Sequence, residues 1–179
     1  NLLQEHRGPD DSGLWSSKDK NVVLGHRRLS IIDTSNAGHQ PMINGAHVIT
    51  YNGEIYNYLE IAKKLKVLGV KFDSASDTEV LLKAYQQWGE QALNELNGMF
   101  AFAIYDAERQ LLFCARDRFG EKPFLFHSAA DRFIFASEYK ALLGIEGIFA
   151  SYDEERIMRF LYHPTQGLDD DVQTCFDDI

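Results

Sequence analysis

Four short polar motifs follow one another along the first half of this chain. They are His6-Arg7-Gly8-Pro9-Asp10-Asp11-Ser12-Gly13, His26-Arg27-Arg28-Leu29-Ser30-Ile31-Ile32-Asp33, Asn52-Gly53-Glu54-Ile55-Tyr56-Asn57 and Ser76-Asp77-Thr78-Glu79. Together they supply a guanidinium, a side-chain amide beside a glycine N–H, and a carboxylate. Those groups can hold a free amino acid by its two charged ends and stabilise an oxyanion. No nucleophile is evident near any of them.

Each motif also has a plainer reading. Asn52-Gly53 follows a strand-like run, His47-Val48-Ile49-Thr50-Tyr51, and Asn-Gly is a strong turn dipeptide. The same pair could form an oxyanion hole, with the Asn amide and the Gly N–H both donating and Gly permitting close approach. The dipeptide alone favours the turn. Arg28 lies within a strand-like run, and alternation puts it on the face of His26 and Ser30, opposite Leu29 and Ile31. It either marks a solvated strand edge or projects into a cleft, where its planar fork would grip a carboxylate. Asp77 opens a helix, where a carboxylate is favourable beside the dipole. Since Ser76 serves as the cap, Asp77 is also free to meet a ligand ammonium.

Helices and strands must position these groups. Residues 100–105, 111–115, 123–126 and 133–136 are apolar on both alternating faces, which predicts strands buried on both sides. Their connections are short and polar, as at residues 106–110, so the strands pair as antiparallel hairpins. Antiparallel strands covered on both faces imply stacked layers with helices outside. Tyr58, Ile61, Ala62, Leu65 and Leu68 form one helical stripe, closed by Gly69. Leu81, Ala84, Tyr85 and Trp88 form a second that ends near Gly89, started by a capping box of Ser76 and Glu79. Ile157, Phe160 and Leu161 predict a third helix over residues 153–162, and the acidic tail beyond it is expected to fray. Cys114 reads as inert core. The charged loop at 116–123 reads as structural, held by internal ion pairs.

Composition bounds the function. The chain has 179 residues, 45% of them hydrophobic, and a net charge of −9. One domain plus a fragment fits that length, and the acidity without a basic cluster argues against nucleic acid. No run is long and apolar enough for a membrane span. The two cysteines make no disulfide framework, which fits a reducing, cytoplasmic setting. The six histidines show no ligand spacing, so no metal site is expected.

Taken together, these motifs resemble the class II glutamine amidotransferase domain, the N-terminal domain of glutamine-dependent asparagine synthetase. The match runs from His6 to about Leu143. Besides the four motifs it includes Gly38-His39-Gln40-Pro41, Asn97-Gly98-Met99-Phe100-Ala101-Phe102, residues 115–123 and Ser137-Glu138-Tyr139-Lys140-Ala141-Leu142. The resemblance implies an α+β fold, the four-layer αββα sandwich of two antiparallel sheets found in N-terminal-nucleophile hydrolases. It implies a glutaminase domain over residues 1–143 and a connector over 144–179, leading to a C-terminal synthetase domain of the same parent chain. Glutamine would be hydrolysed through an N-terminal cysteine thioester, and the ammonia used to amidate aspartate.

By the same resemblance, Arg28 would bind the glutamine α-carboxylate. Asp77, with the backbone around Glu54, would take the α-amino group. Asn52 and Gly53 would form the oxyanion hole, and the backbone of Leu29, Ser30, Ile31 and Ile32 would line the pocket. Residues 34–41 read as a lid by their loop composition. This domain would need no cofactor, with ATP and Mg expected in the synthetase domain, and a homodimer is compatible with the family. The nucleophile segment is not in the sequence, so the chain as written is expected not to hydrolyse glutamine. Two other readings stay open: an amidotransferase for another acceptor such as a sugar acid, and a non-catalytic glutamine-binding domain. A carboxylate-pair hydrolase built on Asp10 and Asp11 is disfavoured, because adjacent residues on an extended chain point apart.

Overall fold

The computed structural model describes residues 2–29, 38–149, 151–162, 174–176 and 178–179. Ser30, Ile31 and Ile32, residues 34–37 of the expected lid and most of the acidic tail lie outside the described residues. The chain divides into two compact units, Asn1–Lys122 and Pro123–Ile179.

In the first unit, β1 (Asp11–Ser16) and β2 (Val23–Arg28) form an antiparallel hairpin with Asp11 opposite Arg28. Its turn is held by Ser17, whose hydroxyl donates to Asp19 at 2.6 Å and accepts from the Val22 N–H at 3.0 Å. A second, four-stranded antiparallel sheet has the order β3 (Met42–Asn44), β4 (His47–Ile55), β5 (Gly98–Asp106), β6 (Leu111–Arg116). The β5–β6 connection is the short hairpin expected at residues 106–110. Asp106 fixes it by accepting the N–H groups of Glu108 and Arg109, both at 3.0 Å.

Alternation along β4 and β5 assigns their two faces. Ile49, Tyr51, Ile55, Phe100, Phe102 and Ile104 join Ile61, Leu65, Leu81 and Ala84 of helices α1 (Tyr58–Val67) and α2 (Asp77–Trp88) in one core. Thr50 and Tyr105 point the other way, to the β1–β2 hairpin. Thr50 Oγ1 lies 3.3 Å from His26 Nδ1, and the Tyr105 and Trp15 ring centroids are 5.6 Å apart. Helices, four-stranded sheet and hairpin are therefore successive layers, and residues 100–106 of the central β5 are buried throughout. Fully burying a leucine such as Leu65 or Leu81 contributes roughly 1.5–3 kcal/mol. β6 is only half-buried because it is the edge strand of its sheet.

α2 begins as expected at Ser76, whose hydroxyl accepts the Thr78 N–H at 3.1 Å. The capping box is not reciprocal, however. Glu79 turns away from Ser76 and accepts the N–H groups of Asp73 and Ser74 at 2.9 and 2.7 Å. Burial opposes its charge, but these donors and the Ser74 hydroxyl hold its carboxyl below the usual range. Asn57 ties the start of α1 to the 3₁₀ turn Gly89–Glu95, donating to the Glu95 carbonyl at 2.8 Å.

The second unit contains the hairpin of β7 (Leu125–Ser128) and β8 (Phe133–Ala136), then α3 (Tyr139–Leu143) and α4 (Glu154–Tyr162). Stacked Phe124–Phe135 and Phe126–Phe133 pairs hold the hairpin. α4 covers the residues that the apolar spacing predicts. Its Leu161 and Tyr162 are exposed.

Candidate active site

The Asn52-Gly53 pair is not a turn. It lies inside β4, with Asn52 opposite Ala101 and Gly53 opposite Phe100. The hydrogen-bonding direction at this point follows from Asp117. The Asp117 N–H donates to the Phe100 carbonyl at 2.8 Å, and the Phe100 N–H donates to the Asp117 carboxylate at 3.2 Å. Both polar backbone groups of Phe100 thus face β6. Gly53 and Phe100 form a non-hydrogen-bonded pair, and the Gly53 N–H and C=O point to the free edge of β4, beyond the end of β3.

Its neighbours on that edge are occupied. The Tyr51 N–H donates to Gln40 Oε1 at 2.7 Å, and the Ile55 N–H donates to Asp77 Oδ2 at 3.1 Å. Between them no described residue accepts from the Gly53 N–H. A side chain at position 53 is sterically excluded, since a Cβ would run into the Met99 carbonyl and sit 2.8 Å from the Phe100 Cα. The edge therefore presents one unpaired donor that only glycine can occupy. By the same alternation the Glu54 backbone faces Met99 inside the ladder. Within the backbone around Glu54, the acceptor that faces the edge is the carbonyl of Gly53.

Arg28 closes β2 on its inner face, as alternation requires. It is 9% exposed, so it is not a solvated strand edge. Its guanidinium lies directly against Gly38, where a Cβ would collide with Nη2 and sit 2.8 Å from Cζ. Arg27 points the opposite way, donating through Nε to the Gly8 carbonyl at 3.0 Å. His26 shares the inner face with Arg28. Burial, and then the Arg28 charge, push its pKa down to about 4, so the ring is neutral at physiological pH. Leu29 follows and is 56% exposed.

Asp77 opens α2 and is 6% exposed. Its Oδ2 accepts the Tyr51 hydroxyl at 2.8 Å as well as the Ile55 N–H. Burial, and then the adjacent Asp77 charge, raise the Tyr51 phenol far above its ordinary value and keep it a donor. Asp77 is therefore oriented by two donors through one oxygen, at a helix N-terminus that favours its charge.

The structure thus brings Asn52, Gly53 and Asp77 to the free end of β4, and places Arg28 in the layer that faces that sheet. The joining piece is residues 38–41, a motif that the sequence reading placed in the expected lid without a role for its individual side chains. Gly38 touches Arg28, His39 bonds Asp11 at 2.6 Å, and Gln40 reaches both Tyr51 and, at 3.4 Å, the Thr78 hydroxyl. Gln40 and Tyr51 carry no chemical signature in sequence. Only their place beside Pro41 and beside Asn52-Gly53 marks them.

Two other expectations concern residues outside this edge. The loop at 116–123 is structural, but it is held by backbone hydrogen bonds rather than ion pairs. Besides Phe100, the Asp117 carboxylate accepts the N–H groups of Phe119, Glu121 and Lys122, while Arg116 donates to the carbonyls of Gly120 and Lys122. Burial opposes the Asp117 charge, and these donors together hold its carboxyl below the usual range. Burial pushes the Cys114 thiol up to about 12, which leaves it protonated and unreactive. Among the described residues no group of three or more His, Cys, Asp or Glu could hold a metal ion, and no helix is long and apolar enough to cross a membrane.

Comparison with known proteins identifies the family and the fold. Asparagine synthetase (glutamine-hydrolysing) 3 of Bacillus subtilis is 45% identical over 151 residues, covering 82% of this chain and 24% of that protein. A putative glutamine-hydrolysing asparagine synthetase 2 of Methanocaldococcus jannaschii is 42% identical over 166 residues, covering 83% of this chain and 32% of that protein. The chain therefore spans only about a quarter to a third of these relatives. The solved glutamine phosphoribosylpyrophosphate amidotransferase of B. subtilis, complexed with ADP and GMP, superposes with a TM-score of 0.57 at 27% identity, over 67% of this chain and 28% of that one. The α+β fold with antiparallel sheets is that of the N-terminal-nucleophile amidotransferases. The glutamine amidotransferase domain family matches residues 2–179, and the chain belongs to that family.

Proposed function

We propose that this chain is the glutaminase part of a glutamine-hydrolysing asparagine synthetase. It would release ammonia from the side-chain amide of glutamine for the ATP-dependent amidation of aspartate elsewhere in the parent protein. The observation that carries this reading is the single unpaired Gly53 N–H on the β4 edge, between an amide capped by Gln40 and one capped by Asp77. The pattern suits the developing oxyanion of an amide under attack.

In this reading Arg28 holds the α-carboxylate through its fork, and Asp77 offers Oδ1 to the α-ammonium while Tyr51 and Ile55 hold Oδ2. Leu29, Ser30, Ile31 and Ile32 are the proposed pocket-lining residues. The nucleophile is the family's N-terminal cysteine, whose free α-amine serves as base. The thiolate adds to the side-chain carbonyl carbon, and the negative oxygen is received by the Gly53 N–H and the Asn52 amide. The α-amine passes the thiol proton to the departing nitrogen, so collapse expels ammonia and leaves a thioester, which water hydrolyses to glutamate and the free thiol. Cys114 has no part in this.

Residues 1–143 form the glutaminase and 144–179 lead toward the synthetase part, where ATP and Mg act. The glutaminase part itself uses no cofactor. The two unpaired thiols are compatible with a cytoplasmic setting.

The test is discrimination by the two ends of the substrate. With the parent enzyme, glutamine analogues lacking either the α-amino or the α-carboxylate group should be turned over with kcat/KM reduced by at least about a hundredfold, because a buried charge would be left unpaired. Equal use of such analogues would remove Arg28 and Asp77 from the assignment.

A further inference from the structure

A strand edge normally keeps its N–H groups paired or gives them all to solvent. The β4 edge does neither. β3 pairs with β4 only from Asn44 opposite His47 to Met42 opposite Ile49. At the next hydrogen-bonding position of this register, opposite Tyr51, the β3–β4 backbone ladder does not continue. The carboxamide of Gln40 occupies that place instead. Its Oε1 accepts the Tyr51 N–H at 2.7 Å, and its Nε2 lies 3.4 Å from the Thr78 hydroxyl in the first turn of α2. Gln40 is 6% exposed.

The backbone of Gln40 is equally confined. A Cβ at Gly13 of β1 would collide with the Gln40 carbonyl oxygen, so β1 closes on it without room to spare. One residue earlier His39 bonds Asp11, and two residues earlier Gly38 lies on the Arg28 guanidinium. A stretch of three residues thus touches every element that carries a site residue: β2 through Arg28, β4 through Tyr51, and α2 through Thr78.

We infer that Gln40 is a positioning residue for glutamine hydrolysis, its carboxamide standing in for the missing strand so that Tyr51 is paired, Gly53 is not, and the edge is locked to the helix that carries Asp77. The inference rests on the glutaminase reading of the same site. Gln40 touches no substrate in this account. It acts through the alignment of the Gly53 donor, so its loss belongs in kcat rather than in KM. A small misplacement of an oxyanion donor is enough for a large rate effect.

The experiment uses the full parent enzyme with glutamine as substrate. Gln40→Met keeps length and removes both polar groups. Gln40→Glu keeps an oxygen that can accept the Tyr51 N–H. Gln40→Met should lose about tenfold or more in kcat at nearly unchanged KM, and Gln40→Glu should recover most of that loss. Wild-type kcat in Gln40→Met, or a loss confined to KM, overturns the inference. An inactive wild-type enzyme would instead remove the glutaminase reading, and this one with it. Amide exchange in the wild-type protein tests the geometry without any variant. Tyr51 and Ile55 should be protected and Gly53 between them should exchange freely. A Tyr51 amide exchanging as fast as that of Gly53 would also overturn it.

Discussion

Arg28, Asp77 and Gly53 each owe their placement to neighbouring residues. Gly38 leaves room for the Arg28 guanidinium, Tyr51 and Ile55 fix one oxygen of Asp77, and Gln40 takes the N–H next along the edge from Gly53. The guanidinium also affects His26, whose neutrality has a measurable consequence. Its folded pKa is about 4 against an ordinary 6.5, so between those values the unfolded chain binds a proton that the folded chain refuses. Stability is therefore lost as pH falls through that window and is fully present above it. Thermal midpoints should fall from pH 6.5 to pH 4 in the wild-type protein, and fall less in His26→Gln. A parallel decline in both would show that His26 is not the responsible group. At this scale the sequence was legible wherever a residue type names its chemistry. Arg28 and Asp77 stood out by charge, and strand alternation correctly put Arg28 with His26. Gln40 and Tyr51 stayed hidden because their roles come from long-range contacts, to residue types that are ordinary anywhere.

At the scale of elements, the helix stripes and the hairpins could be read because periodicity and turn chemistry are local. The Asn-Gly pair was ambiguous for the same reason. Locally it signals a turn, and only the pairing of β4 with β5 over residues 47–55 overrides that signal and keeps it extended. Glu79 shows a similar limit. Its spacing from Ser76 fits a capping box, but the turn at residues 73–74 offers three donors that outcompete the single N–H of Ser76. The cap on α2 is then carried by the Ser76 hydroxyl, which accepts from Thr78. Ser76→Ala should cost about 1 kcal/mol in denaturant unfolding, typical of a lost N-cap. Because α2 also carries Asp77, the same change in the parent enzyme should raise the KM for glutamine. Unchanged stability would mean that the first turn is held by tertiary contacts alone.

At the scale of the whole molecule, the layered first unit holds every site residue within the described structure, and the second unit holds none. The family was legible because several motifs recur in order, which no single motif could establish. The amidated acceptor was not, because the chain spans only 24% of one relative and 32% of another. The proposed function divides the labour between two layers: Arg28 on β2 would bind the substrate, and Asn52 with Gly53 on β4 would stabilise charge. The most direct measurement is glutamine-dependent ammonia release by the parent enzyme, compared with Arg28→Ala and Asn52→Ala. Arg28→Ala should raise KM by on the order of a hundredfold, through loss of a charge-paired hydrogen bond. Asn52→Ala should lower kcat by roughly 10²–10³ with little change in KM, as loss of an oxyanion donor does. No ammonia release from the wild-type enzyme, or wild-type KM and kcat in both variants, would contradict it.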